Sequence, residues 1–559
     1  MTSRRRVGRD PPFSWLPVGR QSLADVYARG AIEFHVGKGL PTYVWLLLGL
    51  LCSGSVAQAG DVVLRRGNGP DVETLDPHQV RSVAAGNVVR DLYEGLVSEA
   101  PDGSLIPGVA ERWDISADGL VYVFFLRDTA RWSNGDAVTA ADFVAGLRRS
   151  VDPQTASPSS QLLAPIAQAS AVMAGRSPPA ALAVQALDEH RLQIGLQSPT
   201  PYFLALLVNP AAYPVHGPVH GQGFTSAAPL VSNGAYQLQV WMPQSHIELR
   251  RNRHYWNDAA TRIDRVQHIV TEDMGSEFQR FRAGELDITE QVPATQIAAM
   301  APTLRRQLRI ADYLGIYYYG FNVSQPPFDQ PGLRRALSLA VDREVIVRKV
   351  LGSGERAAYA WLPPHIAGAD SLQPPWASWT RDQRVAEARR LYEQAGYSAQ
   401  YPLRTEILYN TNDYHQKIAL VIAAMWKQFL GVETRLRNEE TKVFLQSRRE
   451  RRRTQIFRGS WVSDYDDASG FLDLLGGHNP RNDTSYVSQR YDAALNAATH
   501  LPEDARRQQL RDAQQQLIDD APVIPIYFYV TKHLVSPRVS GWQDNALDHH
   551  YSRDLGLSP

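Results

Sequence analysis

A guanidinium, an indole and a carboxylate stand within seven residues of one another at Arg458, Trp461 and Asp464. Such a set could clamp a zwitterion. An ammonium would pair with Asp464, and a carboxylate would accept two parallel bonds from Arg458. The same spacing equally suits an internal ion pair between Arg458 and Asp464, and the sequence alone leaves both open. Two further acids follow in Ser463-Asp464-Tyr465-Asp466-Asp467. Neighbouring acids in one loop are usually solvated or used for binding, because a general acid in glycoside hydrolysis needs a partner placed across the substrate.

The motifs that announce catalysis are missing. There is no Gly-x-x-x-x-Gly-Lys-Ser/Thr loop, no His-Glu-x-x-His and no Gly-x-Ser-x-Gly elbow. The expectation is a binding protein and not an enzyme, with a secreted hydrolase acting on peptides or glycans as the rival from another class. His216 and His220 have i, i+4 spacing, but Gly217 and Pro218 spoil a helix between them, so a loop is expected rather than a metal site. His549 and His550 read as solvated surface. No metal and no cofactor is expected. The run Arg448-Arg449-Glu450-Arg451-Arg452-Arg453 would suit nucleic acid only with net basic charge around it. Since 58 basic and 58 acidic residues cancel over the chain, the run reads as a solvated helix end, with no nucleic-acid partner.

Positioning such groups takes a large scaffold. The 559 residues suggest about three lobes at roughly 150 residues each, once a leader is set aside. Twelve Trp and 24 Tyr would serve either large cores or an aromatic-lined cleft. The one cysteine, Cys52, excludes a disulfide framework or a thiolate metal cluster within the chain.

Residues 43–51 form a short apolar run, with Lys38 before it and Ala57-Gln58-Ala59 after it. That order describes a secretory signal peptide cleaved after Ala59, and the run is shorter than the roughly 20 residues that span a bilayer. Acylation at Cys52 is the competing reading, against which Leu51 is a poor fit to the small residue such a site prefers. Residues 1–35, rich in Arg, Pro and Gly, read either as a long n-region or as sequence ahead of a true start at Val36.

Beyond the leader, period-2 runs predict strands at 62–65, 121–126 and 236–241. Thr139 with Asp142 predicts a capped helix start, with Phe143 and Leu147 on one face. Further helices are expected from Pro331, over 384–395 ending at Gly396, over 415–430 ending at Gly431, and over 503–518. Pro-rich stretches near 198–218 and 361–375 predict long loops or lobe connections. Strands and helices mixed throughout indicate α/β lobes.

Many colinear stretches carry a family resemblance. They include Glu73-Thr-Leu-Asp-Pro-His78, Arg90-Asp-Leu-Tyr-Glu-Gly-Leu96, Pro107-Gly-Val-Ala-Glu-Arg-Trp113, Trp132-Ser-Asn-Gly135 and Asn233-Gly-Ala-Tyr236. Arg251-Asn-Arg-His-Tyr-Trp256, Ala340-Val-Asp-Arg343, Leu408-Tyr-Asn-Thr-Asn-Asp-Tyr-His415 and Gly459-Ser-Trp-Val-Ser-Asp-Tyr465 continue them. From about residue 62 to the end, the chain resembles the solute-binding proteins of peptide ABC importers, family 5. The resemblance implies a three-lobed α/β periplasmic binding protein. Two ligand-closing lobes are joined by a hinge, and a third lobe is extra. The first lobe is expected at 60–97, 218–314 and 531–559, the extra lobe at 98–217 and the second closing lobe at 315–530, after a leader at 1–59.

It also implies a periplasmic monomer that captures short peptides, about tri- to tetrapeptides, by backbone pairing and recognition of their charged ends. The cargo would pass to an inner-membrane ABC permease and its ATPase subunits. Murein tripeptide, or a metal chelate or haem, are the alternative cargoes within the family. Residue by residue, Asp464 matches the partner of the peptide's amino terminus. Arg458 and His415 match groups that meet its carboxyl end at different lengths. Trp461 and Tyr318 match cleft aromatics, and Arg449 matches a basic residue beside a side-chain pocket. The chain departs from the enterobacterial member's pattern at four places. Ala85 replaces a cleft glutamate, Ser159 a tyrosine, Thr441 a pocket tryptophan, and Leu351 the lysine that serves a dipeptide's carboxylate.

Overall fold

The computed structural model describes residues 61–217, 224, 230–450 and 454–558. The expected leader, with Val36, Cys52 and Ala59, lies outside them. So do His220 and the end of the basic run at 451–453.

Among the described residues, three sheets of four or more strands make up the scaffold, beside two two-stranded ones. In Val121–Leu126 every second side chain, Tyr122, Phe124 and Leu126, is buried, as a strand with one face on a core requires. It is central in a four-stranded antiparallel sheet ordered Ala110–Ile115, Val121–Leu126, Arg191–Gly195, Val184–Ala186. A second four-stranded sheet runs Val63–Gly67, Arg265–Ile269, His246–Arg251, Tyr236–Met242. One continuous apolar core serves both sheets, with Leu64, Phe124, Trp132, Tyr236 and Val266 in it. The helix Ala140–Val151 packs there, opened by the Thr139–Asp142 capping box and burying Phe143 and Leu147.

The third sheet has six strands, in the order Arg356–Ala357, Val523–Leu534, Leu308–Phe321, Ile456–Val462, Arg404–Asn410, Glu433–Glu439. Each of its faces carries its own core. Tyr317, Tyr319, Ile407 and Ile456 point to one, covered by Ile418, Ile422 and Trp426 of the helix Asp413–Leu430. Ile316, Tyr318, Leu408 and Phe457 point to the other, with Phe471, Tyr491 and Leu510. The two longest strands, Leu308–Phe321 and Val523–Leu534, pair antiparallel along their lengths. Their register shifts between Asp312 and Ile316 and again between Tyr317 and Tyr318. Such irregularities increase local twist and bend a strand.

Four expected helices are present with moved ends. They span Pro331–Leu339, Arg381–Gln394, Asp413–Leu430 and Glu503–Asp520. Gly431 closes the third in a left-handed conformation, φ 77°, where glycine carries no Cβ penalty. The stretch 198–218 is not all loop, since it holds the short helix Phe203–Leu206 and a 3-10 turn at Pro210–Ala212.

Candidate functional site

A cavity of about 800 Å³ draws its walls from all three sheets' surroundings. Gly86, Asn87, Arg90 and Glu99 come from the first 100 residues. Leu351, Tyr414, His415 and Asp464 come from around the six-stranded sheet, and Tyr527, Tyr529, His533, Asp548 and His549 come from the last 40 residues. Ser159 and Asn209 close a further side.

Asp464 sits just past the strand Ile456–Val462, on the cavity wall. Among the described residues no ion pair or hydrogen bond engages its carboxylate. The group is open to the cavity yet flanked by protein. Burial pushes its pKa above the ordinary carboxylate value, against the pull of Arg481 and His549. The internal Arg458–Asp464 ion pair therefore does not form. Arg458 points elsewhere, with its guanidinium 4.8 Å from the Tyr317 ring centre and a long 3.4 Å contact to the Tyr529 hydroxyl. Its Nε is buried without a hydrogen-bond partner among the described residues.

His415 belongs to the first turn of Asp413–Leu430, where the Asn412 side chain accepts from the Tyr414 and His415 amides. Its Nδ1 lies 3.4 Å from the Tyr317 hydroxyl. Burial, and then the neighbouring Arg458 guanidinium, lower its pKa to about 4, so the ring is neutral at neutral pH. Arg458, Tyr317 and His415 thus form one cluster, and His415 with Tyr529 brings its edge to the cavity.

The remaining expected residues fall elsewhere. Gly459 pairs with Tyr318 and Trp461 with Ile316 across the strands, so Tyr318 and Trp461 lie on the sheet face opposite Arg458. Tyr318 is buried, 5.0 Å from Trp361 between ring centres. Trp461 donates from its indole to the Gly470 carbonyl at 2.7 Å. Neither lines the cavity. Arg449, in the helix Thr441–Glu450, lines a separate surface hollow with Lys442, Leu445 and Gln446. Its neighbour Arg448 is not a solvated helix end, since it pairs with Asp483 at 2.6 Å.

At the departures, Leu351 and Ser159 are on the cavity wall, whereas Ala85 is fully buried in the core beneath it. Lys349, the nearest cation in sequence to Leu351, is exposed and outside the wall. Lys532, which is on the wall, is held by Glu355.

The aromatics that do line the cavity are Tyr313, Tyr414, Tyr527 and Tyr529, and sequence reasoning missed them. The Tyr527-Phe528-Tyr529 alternation was the available signal. The histidine pair was misread as well. His549 donates from Nδ1 to Glu99 at 2.7 Å, because Arg90, which can only donate, occupies Nε2 at 2.6 Å. His550 is buried beside Asp548, its side chain 6% exposed. Neither is solvated surface, and the Asn545 amide bond to the His549 carbonyl fixes the loop that carries them.

Comparison with known proteins places this geometry. Residues 104–483 match the model of the bacterial extracellular solute-binding proteins, family 5. The periplasmic oligopeptide-binding protein OppA of Escherichia coli is 37% identical over 91% of this chain and 97% of its own length. The probable deoxycholate-binding periplasmic protein YgiS of the same organism is 38% identical over 88% and 93%. Among solved structures, the unliganded open form of the murein tripeptide-binding protein MppA has a TM-score of 0.81 at 35% identity, covering 89% of this chain and 98% of that one. Haemophilus influenzae OppA in complex with the peptide RPPGFSPFR has a TM-score of 0.72 at 34% identity, covering 89% and 99%. At nearly equal identity and coverage, the better agreement is with the open form.

Proposed function

Because the chain belongs to the bacterial extracellular solute-binding proteins of family 5, we propose that it captures short peptides in the periplasm for an ABC importer. The observation that carries this reading is Asp464, a carboxylate without a partner among the described residues, on the wall of a cavity large enough for a small ligand. A peptide ammonium would satisfy it, and a peptide carboxylate would reach the Arg458 and His415 cluster. Tyrosines between them supply flat, sequence-tolerant contacts, while main-chain pairing supplies affinity. Cargo would be bound and released unchanged, and the cognate partners would be an inner-membrane permease and its ATPase subunits. The binding unit would be a monomer, exported by a signal peptide cleaved after Ala59.

Closure is assigned to the two long strands. The lobes proposed at 60–97, 218–314 and 531–559 on one side and 315–530 on the other would meet near the register shift between Asp312 and Ile316, where Leu308–Phe321 pairs with Val523–Leu534. A few residues at such a junction absorb the dihedral change of a hinge. The extra lobe at 98–217 would add Ser159 and Asn209 to the wall.

Ligand would shift the open state toward a closed one by its higher affinity for that state. Small-angle scattering with and without Ala-Ala-Ala tests this, and compaction at saturating tripeptide is expected. Unchanged scattering together with no calorimetric heat would sink the reading. Compaction with deoxycholate and not with peptides would replace it by a steroid-acid carrier.

A further inference from the structure

We propose that His533, Asp548 and His550 form a binding site for a borderline divalent transition-metal ion of the zinc class. One ring nitrogen from each histidine and an Asp548 carboxylate oxygen all lie within 4.8 Å of one another. Both Nε2 atoms converge on the same Asp548 oxygen, at 2.9 and 3.0 Å. A tetrahedral ion with bonds of about 2.0–2.1 Å spaces its ligand atoms about 3.3 Å apart, so the carboxylate oxygen would move out by about half an ångström and the two rings would draw together, by about 1.5 Å at most, to admit it.

The surroundings aim the three groups. His533 donates from Nδ1 to the Thr289 carbonyl at 3.0 Å, which leaves Nε2 as the atom that faces the ion. That outer bond is the one metal-bound histidines almost always make. The backbone of His533 is fixed opposite Arg309 in the paired long strands. Asp548 holds a left-handed φ of 60° and donates its amide to the Asn545 carbonyl, which turns its carboxylate back toward the strand. The His550 carbonyl accepts from Arg66 at 2.7 Å, and its ring stacks on Trp542 with centroids 3.7 Å apart.

Two imidazoles and one carboxylate suit zinc and its neighbours, whereas calcium and magnesium take oxygen ligands. Trp542 covers the His550 side. His533 and Asp548 are on the cavity wall and His550 is not, so the site borders the cavity. Glu290, on the same wall, adds negative charge, and the Arg66 guanidinium opposes it.

The test uses protein without a polyhistidine tag, stripped with a chelator and titrated with zinc chloride in the calorimeter. One zinc per chain is expected. Affinity should fall at least about tenfold in His550→Gln and in Asp548→Asn, and stay unchanged in His500→Gln, an exposed control. Cobalt bound to the unaltered protein should give visible ligand-field bands that zinc abolishes. No stoichiometric zinc and no such bands would overturn the site, as would equal zinc affinity in folded His550→Gln and Asp548→Asn. If those variants unfold, the cobalt spectrum of the unaltered protein decides. Peptide is absent from every arm, so the result stands apart from the cargo reading.

Discussion

Replacing Asp464 with Asn should remove most of the penalty that N-acetylation imposes on a peptide. The carboxylate has no protein partner among the described residues and is open to the cavity, so the substitution breaks nothing in the fold. An ammonium about 4 Å away would gain about 4 kcal/mol at an effective dielectric of 20. Desolvating both groups offsets part of this, and truncating one member of a buried interfacial pair typically costs about 2–5 kcal/mol. Water access to Asp464 puts the value at the lower end, about 2–3 kcal/mol, or roughly a hundredfold in affinity. The assay is calorimetric titration of both proteins with Ala-Ala-Ala and with N-acetyl-Ala-Ala-Ala. The unaltered protein should lose about a hundredfold on acetylation, and Asp464→Asn only a few-fold.

The pH dependence has a definite sign. Burial raises the free Asp464 carboxyl above its ordinary value, and a bound ammonium would lower it. Affinity should therefore be full above the free pKa and decline as pH falls through it. An acetylation penalty equal in the two proteins would refute the ammonium role.

Peptide length should matter too. With Leu351 on the wall, Lys349 exposed and Lys532 held by Glu355, a dipeptide's carboxylate at Leu351 would find neither of these lysines free to pair with it. Ala-Ala-Ala should bind at least about tenfold tighter than Ala-Ala, which needs only about 1.4 kcal/mol. Leu351→Lys should narrow the gap, and equal titrations of the two peptides would dismiss the length argument. Away from the cavity's ligand chemistry, Glu277 is 2% exposed and burial raises its pKa to about 7. The folded state thus holds this proton more tightly than the unfolded chain, with a carboxyl near 4.5. Its contribution is present below about pH 4.5 and is lost as pH rises through 7. At pH 8 that loss approaches about 3 kcal/mol, so Glu277→Gln should be more stable there and flatter with pH in urea melts. Parallel stability–pH curves for the two proteins would count against it.

How much of this was legible follows from parity and caps. The Thr139–Asp142 capping box and the Gly431 stop stand in the sequence as they do in the structure. The helix expected at 384–395 begins earlier, at Arg381, because Thr380 and Gln383 make a capping box of their own, a pattern as readable as the first. The strands Leu308–Phe321 and Val523–Leu534 escaped notice because most of their side chains are buried on both faces, which erases the alternation that marks a half-exposed strand. Arg458 and Trp461 are three residues apart in one strand. An odd spacing sends side chains to opposite faces, so their proximity in sequence never put them in one clamp. The roles of His549 and His550 depend on Glu99, Arg90 and His533, partners that only the fold brings near.

Three polar groups stand at the cavity wall or behind it, Asp464 and His415 on the wall and Arg458 behind it. Among the described residues Asp464 has no partner and the Arg458 Nε is buried and unsatisfied, and His415 is held neutral by burial and by that same guanidinium. Unpaired polar groups inside a protein cost stability and persist where something else completes them. A zwitterionic ligand would supply both missing charges at once. Its ammonium would lower the Asp464 carboxyl, and its carboxylate would screen His415 from Arg458. The open state would then be the less satisfied one electrostatically, and the free energy released on pairing would be available to drive the lobes together. A neutral ligand of the same shape would fill the cavity without supplying that difference, so charge at both ends, and not size alone, would select the cargo.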